Sequence, residues 1–248
     1  MNVQVNGPFG RVSRLVIDTD GGVDDLVAID VAKRLYDGEL TVTTVGGNVS
    51  AAQAAQTVAF ANNEVASVGQ NPPGWTPEHR HGVDGMHGMW DGQKRSIDPT
   101  PAVDRLAEVM TDKGGAIACI GPLTNIASAI DKVERSCGVV RATIYALGGL
   151  SGAPRGLRDT NVYADRSAAK MSSRLVKWVS MKEAALMTKT SVADVKDTPS
   201  WKWVYPFAER TSVTWGWDGH FPLYDVAVVC AALGARKRAR NEICNVFA

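Results

Sequence analysis

The sequence predicts an α/β protein with a mostly parallel sheet that is covered by helices on both faces. Short apolar runs alternate along the chain with segments of helical periodicity, which is the order that βαβ units require. Several of these runs end at Asp or Gly, as expected where a strand gives way to a loop. With 248 residues and an apolar fraction of 45%, the chain can form one domain with a large core, and we expect a single domain over residues 1–248.

The N-terminal part shows the alternation most clearly. Apolar and β-branched runs predict strands at 15–17, 40–45 and 65–68. A helix is predicted at 23–35, because its apolar residues recur on one face and Gly38 follows it, and the Ala-rich segment 50–61 predicts a second helix.

The rest of the chain contains two long loops, predicted at 70–98 and 148–158. The first holds three histidines and several glycines without periodicity, and loops of this length in compact domains are often functional. Outside these loops we predict helices at 101–110, 124–130, 165–171 and 222–233, and strands at 116–120, 142–147 and 175–179. Segment 186–220 has no clear pattern except a helix predicted at 200–209.

Composition sets limits on the partners. The 27 basic and 26 acidic residues give a net charge of +1, which provides no argument for a nucleic-acid or membrane partner. The four cysteines have no metal-finger or redox spacing, so buried reduced thiols are expected. The first residues lack a secretory pattern, and no apolar run approaches the ~20 residues of a membrane span. We therefore expect a soluble cytoplasmic protein.

An acidic loop follows the first predicted strand. Asp18, Asp20, Asp24 and Asp25 lie within eight residues, and carboxylates this close repel one another unless a cation neutralises them. Because all of them offer oxygen and no Cys or His intervenes, the set suits Ca²⁺ or Mg²⁺ better than Zn²⁺. A single Asp here would only cap the next helix, whereas four predict a metal site.

Seven segments in chain order form one collinear pattern. They are Asp18-Thr19-Asp20-Gly21-Gly22-Val23-Asp24-Asp25, Val45-Gly46-Gly47-Asn48, His81-Gly82-Val83-Asp84-Gly85, Ile120-Gly121-Pro122-Leu123-Thr124-Asn125-Ile126-Ala127, Leu147-Gly148-Gly149, Asp159-Thr160-Asn161 with Asp165-Arg166-Ser167-Ala168-Ala169, and Tyr224-Asp225. Together they resemble the inosine–uridine nucleoside hydrolase family. The resemblance runs from about residue 14 to 230 and implies a Rossmann-like open sheet.

The resemblance also implies a reaction and a set of roles. The reaction is the Ca²⁺-dependent hydrolysis of the N-glycosidic bond of a nucleoside to ribose and free base, with a water on Ca²⁺ as nucleophile. The resemblance implies that Asp20 takes the proton of this water and that Tyr224 stands at the leaving-group position. The Ca²⁺ ligands that it implies are Asp20, Asp25, Asp225 and the Ile120 carbonyl. The substrate-binding residues that it implies are Asp24, Asn48, His81, Leu147, Asp159 and Asn161. Family members suggest a homodimer or homotetramer.

The chain departs from the family pattern at several positions. Gly21 replaces the usual proline, Asp159 stands where the family has a longer Glu, and Ala153 where some members have Asn. Tyr224 occupies the position of a leaving-group His in one subgroup, and a pKa near 10 makes Tyr a poorer acid. Only 23 residues follow Asp225, so abbreviated C-terminal covering elements are expected.

Several interpretations stay open at this stage. Arg155 and Arg158 favour a hydrolase or transferase that acts on a modified or 5′-phosphorylated nucleoside. The short C-terminal end and Ala153 favour a nucleoside- or Ca²⁺-binding protein that has lost catalysis, whereas the intact acidic set argues against it. The Trp residues in 201–217 either stack on a purine or pack in the core. The histidines of the first long loop suggest Zn²⁺ only weakly, and Asn125 is interpreted as a helix-start residue. The base preference is open.

Overall fold

The computed structural model describes residues 6–7, 10–77, 80–149, 159–196 and 202–236, together with 239, 241 and 243. Two short antiparallel pairs lie outside the main sheet, β1 (Asn6–Gly7) with β2 (Gly10–Arg11) and β9 (Lys189–Ser191) with β10 (His220–Pro222).

The main sheet has six strands, and every pairing in it is parallel. Its strands are β3 (Arg14–Thr19), β4 (Glu39–Thr44), β5 (Ala66–Val68), β6 (Gly115–Cys119), β7 (Thr143–Leu147) and β8 (Val176–Val179). The order β5-β4-β3-β6-β7-β8 reverses its direction between β3 and β6. In open parallel sheets ligands bind at the carboxyl ends of the strands beside such a reversal, so the site is expected next to β3 and β6.

Helices cover both faces of this sheet. They are α1 (Val23–Leu35), α2 (Ala51–Asn62), α3 (Ala102–Met110), α4 (Thr124–Arg135), α5 (Thr160–Ala164), α6 (Arg166–Ser172), α7 (Met181–Thr188), α8 (Val192–Lys196), α9 (Val204–Trp215) and α10 (Tyr224–Ala232). Side chains alternate between two cores: Leu15 and Ile17 of β3 pack with α1 and α10, while Val16 packs with α3 and α4. The predicted parallel sheet with helices on both faces is therefore confirmed.

The predicted elements on either side of the first loop are present, and the shifted boundaries lie near the C-terminus. The helix predicted at 200–209 is α9, which runs to Trp215, and residues 200 and 201 lie outside the described ones. The last helix begins at Tyr224 rather than at 222, because Pro222 pairs with Lys189 in β10. The short elements β1, β2, α5, α7, α8, β9 and β10 were not predicted, since segments of two to eight residues carry little periodicity.

The cysteines and helices agree with the composition. Cys119 and Cys230 are buried as expected, whereas Cys137, just after α4, is exposed, and Cys244 lies outside the described residues. Among the helices that the structure describes, none combines the length and apolarity of a membrane span.

Candidate active site

A cavity of about 580 Å³ opens where the carboxyl ends of β3, β4 and β6 meet the start of α10. Its volume is in the range of small-molecule sites. It is lined by most of the residues singled out from the sequence, namely Asp20, Asp24, Asp25, Asn48, His81, Ile120, Leu147, Asn161, Tyr224 and Asp225.

Three buried carboxylates form the floor of this cavity. One oxygen from each of Asp24, Asp25 and Asp225 lies within 4.8 Å of the others. Asp24 and Asp25 stand in the first turn of α1, and Asp225 stands in the first turn of α10, where the helix dipole favours negative charge. Asp225 Oδ1 is buried and has no hydrogen-bond partner among the described residues, so it is a free ligand atom.

The Asp25 carboxylate is held rigidly by its own loop. Its Oδ1 accepts hydrogen bonds from Thr19 Oγ1 at 2.6 Å and from the Asp20 amide at 3.1 Å, and its Oδ2 accepts from the Gly22 amide at 3.0 Å. Such bonds to backbone N–H groups fix the direction of the carboxylate before any ligand arrives.

Asp20 lies beside these three acids and is oriented by Asn48. The Asn48 amide N–H donates to Asp20 Oδ2 at 3.0 Å, and Asn48 Nδ2 donates to Asp20 Oδ1 at 2.9 Å. A Cβ at Gly47 would lie 2.0 Å from Asp20 Oδ2, so the loop after β4 packs directly against this carboxylate.

The turn between Asp20 and α1 requires glycine. Gly21 has φ +75°, and a Cβ there would lie 2.7 Å from Ala54 Cβ. Proline, whose φ stays near −65°, cannot adopt this conformation, so this loop differs in backbone from one that has proline at this position.

The carbonyl of Ile120, directly after β6, faces the same cavity. It accepts a hydrogen bond from Asn161 Nδ2 at 2.9 Å, which ties α5 to the end of β6. Because a carbonyl oxygen has two lone pairs, this bond leaves one of them for another partner.

Burial and mutual repulsion dominate the electrostatics of the floor. Burial, together with the charge of Asp24, raises the pKa of Asp20 to about 7, although the hydrogen bonds from Asn48 act in the opposite direction. Burial and the charge of Asp25 raise the pKa of Asp24 to about 7, and burial with neighbouring carboxylates raises the pKa of Asp25 and of Asp225 well above the usual value. These buried carboxyls offer only oxygen, they resist ionisation unless a cation is present, and one of their oxygens has no partner among the described residues. Such a set of donors fits a hard metal ion.

His81 stands between this floor and α9 as a neutral ring. Its Nδ1 accepts from the Val23 amide at 2.9 Å, which leaves the proton on Nε2, 3.6 Å from Asp24 Oδ1. The ring stacks on Phe207 with centroids 4.8 Å apart. Burial, and then the positive charges of His87, Arg80 and Arg210, lower the pKa of His81 to about 3. The group of described residues that could hold a metal contains no histidine, and His79 lies outside the described residues.

Two of the predicted site residues have unexpected surroundings. Asp159 is not among the groups that line the cavity: its Oδ1 accepts from the Val162 amide at 3.1 Å as the cap of α5, and its Oδ2 accepts from the Gly149 amide at 2.7 Å. Tyr224 lines the cavity, and burial together with the charge of Asp24 raises its pKa to about 12. Its role as a proton donor stays a prediction.

Asn125 lies in the first turn of α4, but its side chain does not cap the helix, so its interpretation as a helix-start residue in the capping sense is wrong. The cap position of α4 is Leu123, which makes no side-chain capping bond. The fully buried Asn125 side chain instead donates to Asp18 Oδ1 and to the Thr44 carbonyl, both at 2.9 Å, and accepts from the Gln70 amide at 2.9 Å. It joins the ends of β3 and β4 to the loop after β5.

Sequence reasoning did not identify several residues that line the cavity. Trp75, from the first long loop, donates its indole N–H to the Gly47 carbonyl at 2.9 Å. Arg80, Phe207 and Arg210 line the cavity too, and only the irregular composition of 70–98 indicated part of this set. Of the Trp residues in 201–217, Trp203 is buried in the core. Ala153, Arg155 and Arg158 lie outside the described residues.

Comparison with known proteins agrees with this fold and this arrangement of acids. The family model for the inosine-uridine preferring nucleoside hydrolase matches residues 15–246. The chain belongs to this family.

The individual relatives are distant. Uridine nucleosidase 1 of Arabidopsis thaliana is 30% identical over 182 residues, which cover 65% of this chain and 53% of that protein. An uncharacterised protein of Schizosaccharomyces pombe is 31% identical over 175 residues, which cover 64% of this chain and 56% of that protein. The matched part therefore spans little more than half the length of these curated relatives.

Solved structures show the same fold. A plant nucleoside hydrolase superposes with a TM-score of 0.70 at 23% identity, with 90% of this chain and 79% of that chain covered. An inosine-guanosine nucleoside hydrolase superposes with a TM-score of 0.68 at 18% identity, with 88% of this chain and 78% of that chain covered.

Proposed function

We propose that this protein hydrolyses the N-glycosidic bond of a nucleoside, giving ribose and free base, with Ca²⁺ as its metal ion. The observation that carries this proposal is the meeting of three buried carboxylates, one with an unpartnered oxygen, at the sheet reversal beside the Asp20–Asn48 pair. Family membership and a cavity of about 580 Å³ support it.

The residues proposed to hold Ca²⁺ offer only oxygen. They are Asp20, Asp25 and Asp225 through their carboxylates and Ile120 through its carbonyl, with Asp24 close enough to contribute. A bound divalent cation lowers the pKa of a coordinated water and thereby supplies a nucleophile near neutral pH. The hard oxygen set favours Ca²⁺ over transition metals.

The chain's own residues orient the reactants. Asn48 fixes both oxygens of Asp20, so that Asp20 is directed to accept a proton from the attacking water. Asp24, Asn48 and Asn161 are proposed to bind the ribose hydroxyls, with Leu147 and His81 as further contacts along the wall. Because positive charge develops on the ribose ring as the bond breaks, the acidic floor stabilises the transition state.

The bonds balance in a simple way. The water oxygen bonds to C1′, one of its protons goes to Asp20, and the C1′–N bond breaks with its electron pair on the base. The base then takes up one proton, so that water is the net source of H and OH. Tyr224 is proposed to face the leaving base, and its raised pKa suits it to hydrogen bonding more than to full proton transfer.

The test is a panel of nucleosides with and without metal. Uridine is included because one relative is a uridine nucleosidase, and inosine and guanosine because one solved structure is an inosine-guanosine nucleoside hydrolase. Release of reducing sugar should require added Ca²⁺ and stop after chelation. Tight Ca²⁺ binding without release of sugar from any compound would show a binding protein instead. Release of sugar that persists after chelation would show that the reaction does not need the metal.

A further inference from the structure

The cavity carries opposite charges at two places. Its floor consists of Asp24, Asp25 and Asp225, whereas Arg80 and Arg210 line the wall that includes His81 and α9. A neutral nucleoside offers no charge to a guanidinium group, and the proposed hydrolysis uses neither arginine. The positive charge that Arg210 brings to this wall therefore needs a separate explanation.

Both arginines lie around His81. Arg80 directly precedes His81 in the chain, and Arg210 follows Phe207 by one helical turn in α9. Because the Phe207 ring stacks on the His81 ring at 4.8 Å, α9 brings Arg210 to the same corner as Arg80. The positive charges of both arginines lower the pKa of His81, which agrees with this placement.

One face of α9 forms this wall. Phe207, Arg210, Thr211 and Thr214 all line the cavity, at the three- and four-residue spacing that places side chains on one side of a helix. On the floor side, His81 Nε2 lies 3.6 Å from Asp24 Oδ1. The cavity thus runs from an acidic floor, past a neutral ring, to a cationic wall.

We propose that this cationic wall, formed by Arg80, Arg210, Thr211 and Thr214, binds an anionic group of the substrate, so that the substrate is a nucleoside that bears a phosphate or carboxylate. This inference rests on the proposed function. The planar guanidinium group pairs bidentately with both kinds of anion, and a positive wall attracts them while the floor repels them. The acidic floor then holds the ribose end, and the anion points towards α9.

The experiment compares three substrates that differ in charge and in its position. Base release is measured from uridine, uridine 5′-monophosphate and orotidine, which carries a carboxylate on the base. The proteins are the wild type, Arg210→Gln, Arg210→Lys and the control Arg135→Gln, whose arginine pairs with Asp131 at the exposed end of α4.

We expect the wild type to prefer one of the two anionic substrates over uridine in kcat/KM. Arg210→Gln should lower that preference about tenfold or more, as expected for the loss of a charge-assisted hydrogen bond. Arg210→Lys keeps the charge but loses the planar guanidinium group, so its preference should lie between those of the wild type and Arg210→Gln. Arg135→Gln should retain the wild-type preference. A preference for the monophosphate places the anion on the ribose, and one for orotidine places it on the base.

A wild-type preference for uridine, or equal losses on all three substrates in Arg210→Gln, would overturn the inference and leave nucleoside hydrolysis standing. Cleavage of none of the three removes support for the proposed function. In that case titration of the same compounds into the Ca²⁺-loaded protein tests the cationic wall independently of catalysis. Tighter binding of an anionic compound that Arg210→Gln weakens supports the cationic wall, and equal binding of all three contradicts it.

Discussion

At the scale of single residues, Gly21 determines how the acidic loop reaches α1. Its φ of +75° is rare for residues with a side chain, and an added Cβ would lie 2.7 Å from Ala54 Cβ and 2.8 Å from Ala54 Cα. The loop that carries Asp20 therefore packs against α2 without space for a methyl group.

We expect Gly21→Ala to lower the free energy of unfolding by roughly 3 kcal/mol, from the combined cost of backbone strain and overpacking. Gly92→Ala is the matched control, because Gly92 has a similar φ of +73° and no atom within 4 Å of an added Cβ. Strain alone should cost about 1 kcal/mol there. Denaturant unfolding of both variants measures the difference, and equal losses would contradict the close packing on α2.

A metal site at the acids could be predicted from residue types alone, because four carboxylates beside a buried strand repel one another unless a cation neutralises them. The surroundings of each individual acid could not be predicted in this way. Asp18 belongs to the acidic segment in sequence, yet it lies in β3, and its Oδ1 accepts from Thr43 and Asn125, away from the cavity. Arg210 was not predicted, since nothing local in the sequence brings α9 to His81.

At the scale of elements, Asn125 holds three strand ends together. It stands at the start of α4 and bonds to Asp18 of β3, to Thr44 of β4 and to Gln70 after β5. Gly69 packs so closely that an added Cβ would lie 2.3 Å from Asn125 Nδ2. The loops that carry Asp20 and Asn48 follow directly from two of these ends.

Asn125→Ala should destabilise the protein by about 2–4 kcal/mol, because it removes one hydrogen bond each from the buried Asp18 carboxyl, the Thr44 carbonyl and the Gln70 N–H. Ser128→Ala is the control within the same helix, since its hydroxyl bonds to the Gln70 side chain in an exposed position, and we expect a loss below about 1 kcal/mol. Urea unfolding distinguishes them. A mild effect of Asn125→Ala would show that water replaces these hydrogen bonds.

The regular elements could be predicted wherever tertiary structure and local pattern agree. Helices α3 and α4 are strongly amphipathic, and the strands of the sheet, α1 and α2 stand out as apolar or Ala-rich runs. By contrast, β9 and β10 exist through their mutual pairing over three residues. The sheet order, and with it the reversal between β3 and β6, comes from pairing between distant segments. A single sequence provides such pairing only through resemblance to known folds.

At the scale of the whole molecule, the buried acids couple stability to pH and metal. A carboxyl whose pKa is higher in the folded than in the unfolded protein stabilises the fold at low pH, and this contribution is lost as the pH rises through the folded pKa. For Asp20 and Asp24 the folded pKa is about 7 and the ordinary value 3.8, so the loss falls between about pH 4 and 8. Asp25 and Asp225 shift in the same direction.

The metal-free protein should therefore melt several degrees lower at pH 8 than at pH 5. His81 has the opposite effect, because its lowered pKa makes the fold less stable as the pH falls below about 6.5. The four carboxyls together have the larger effect on stability. Saturating Ca²⁺ should raise Tm most at pH 8, where the acids ionise to bind it. Thermal scans with chelator or Ca²⁺ at matched ionic strength measure this, and the same pH dependence in both would contradict a metal site at these acids.

The most direct test of the central claim compares kcat for base release in Asp20→Asn and in the wild type, at saturating Ca²⁺ and on the best nucleoside of the panel. Asn keeps the size of the side chain but accepts no proton, so we predict that kcat falls by about 10²–10⁴-fold. Asp131→Asn, at an exposed ion pair on α4, should retain the wild-type rate. Wild-type turnover by Asp20→Asn would contradict the assignment of hydrolysis to this site.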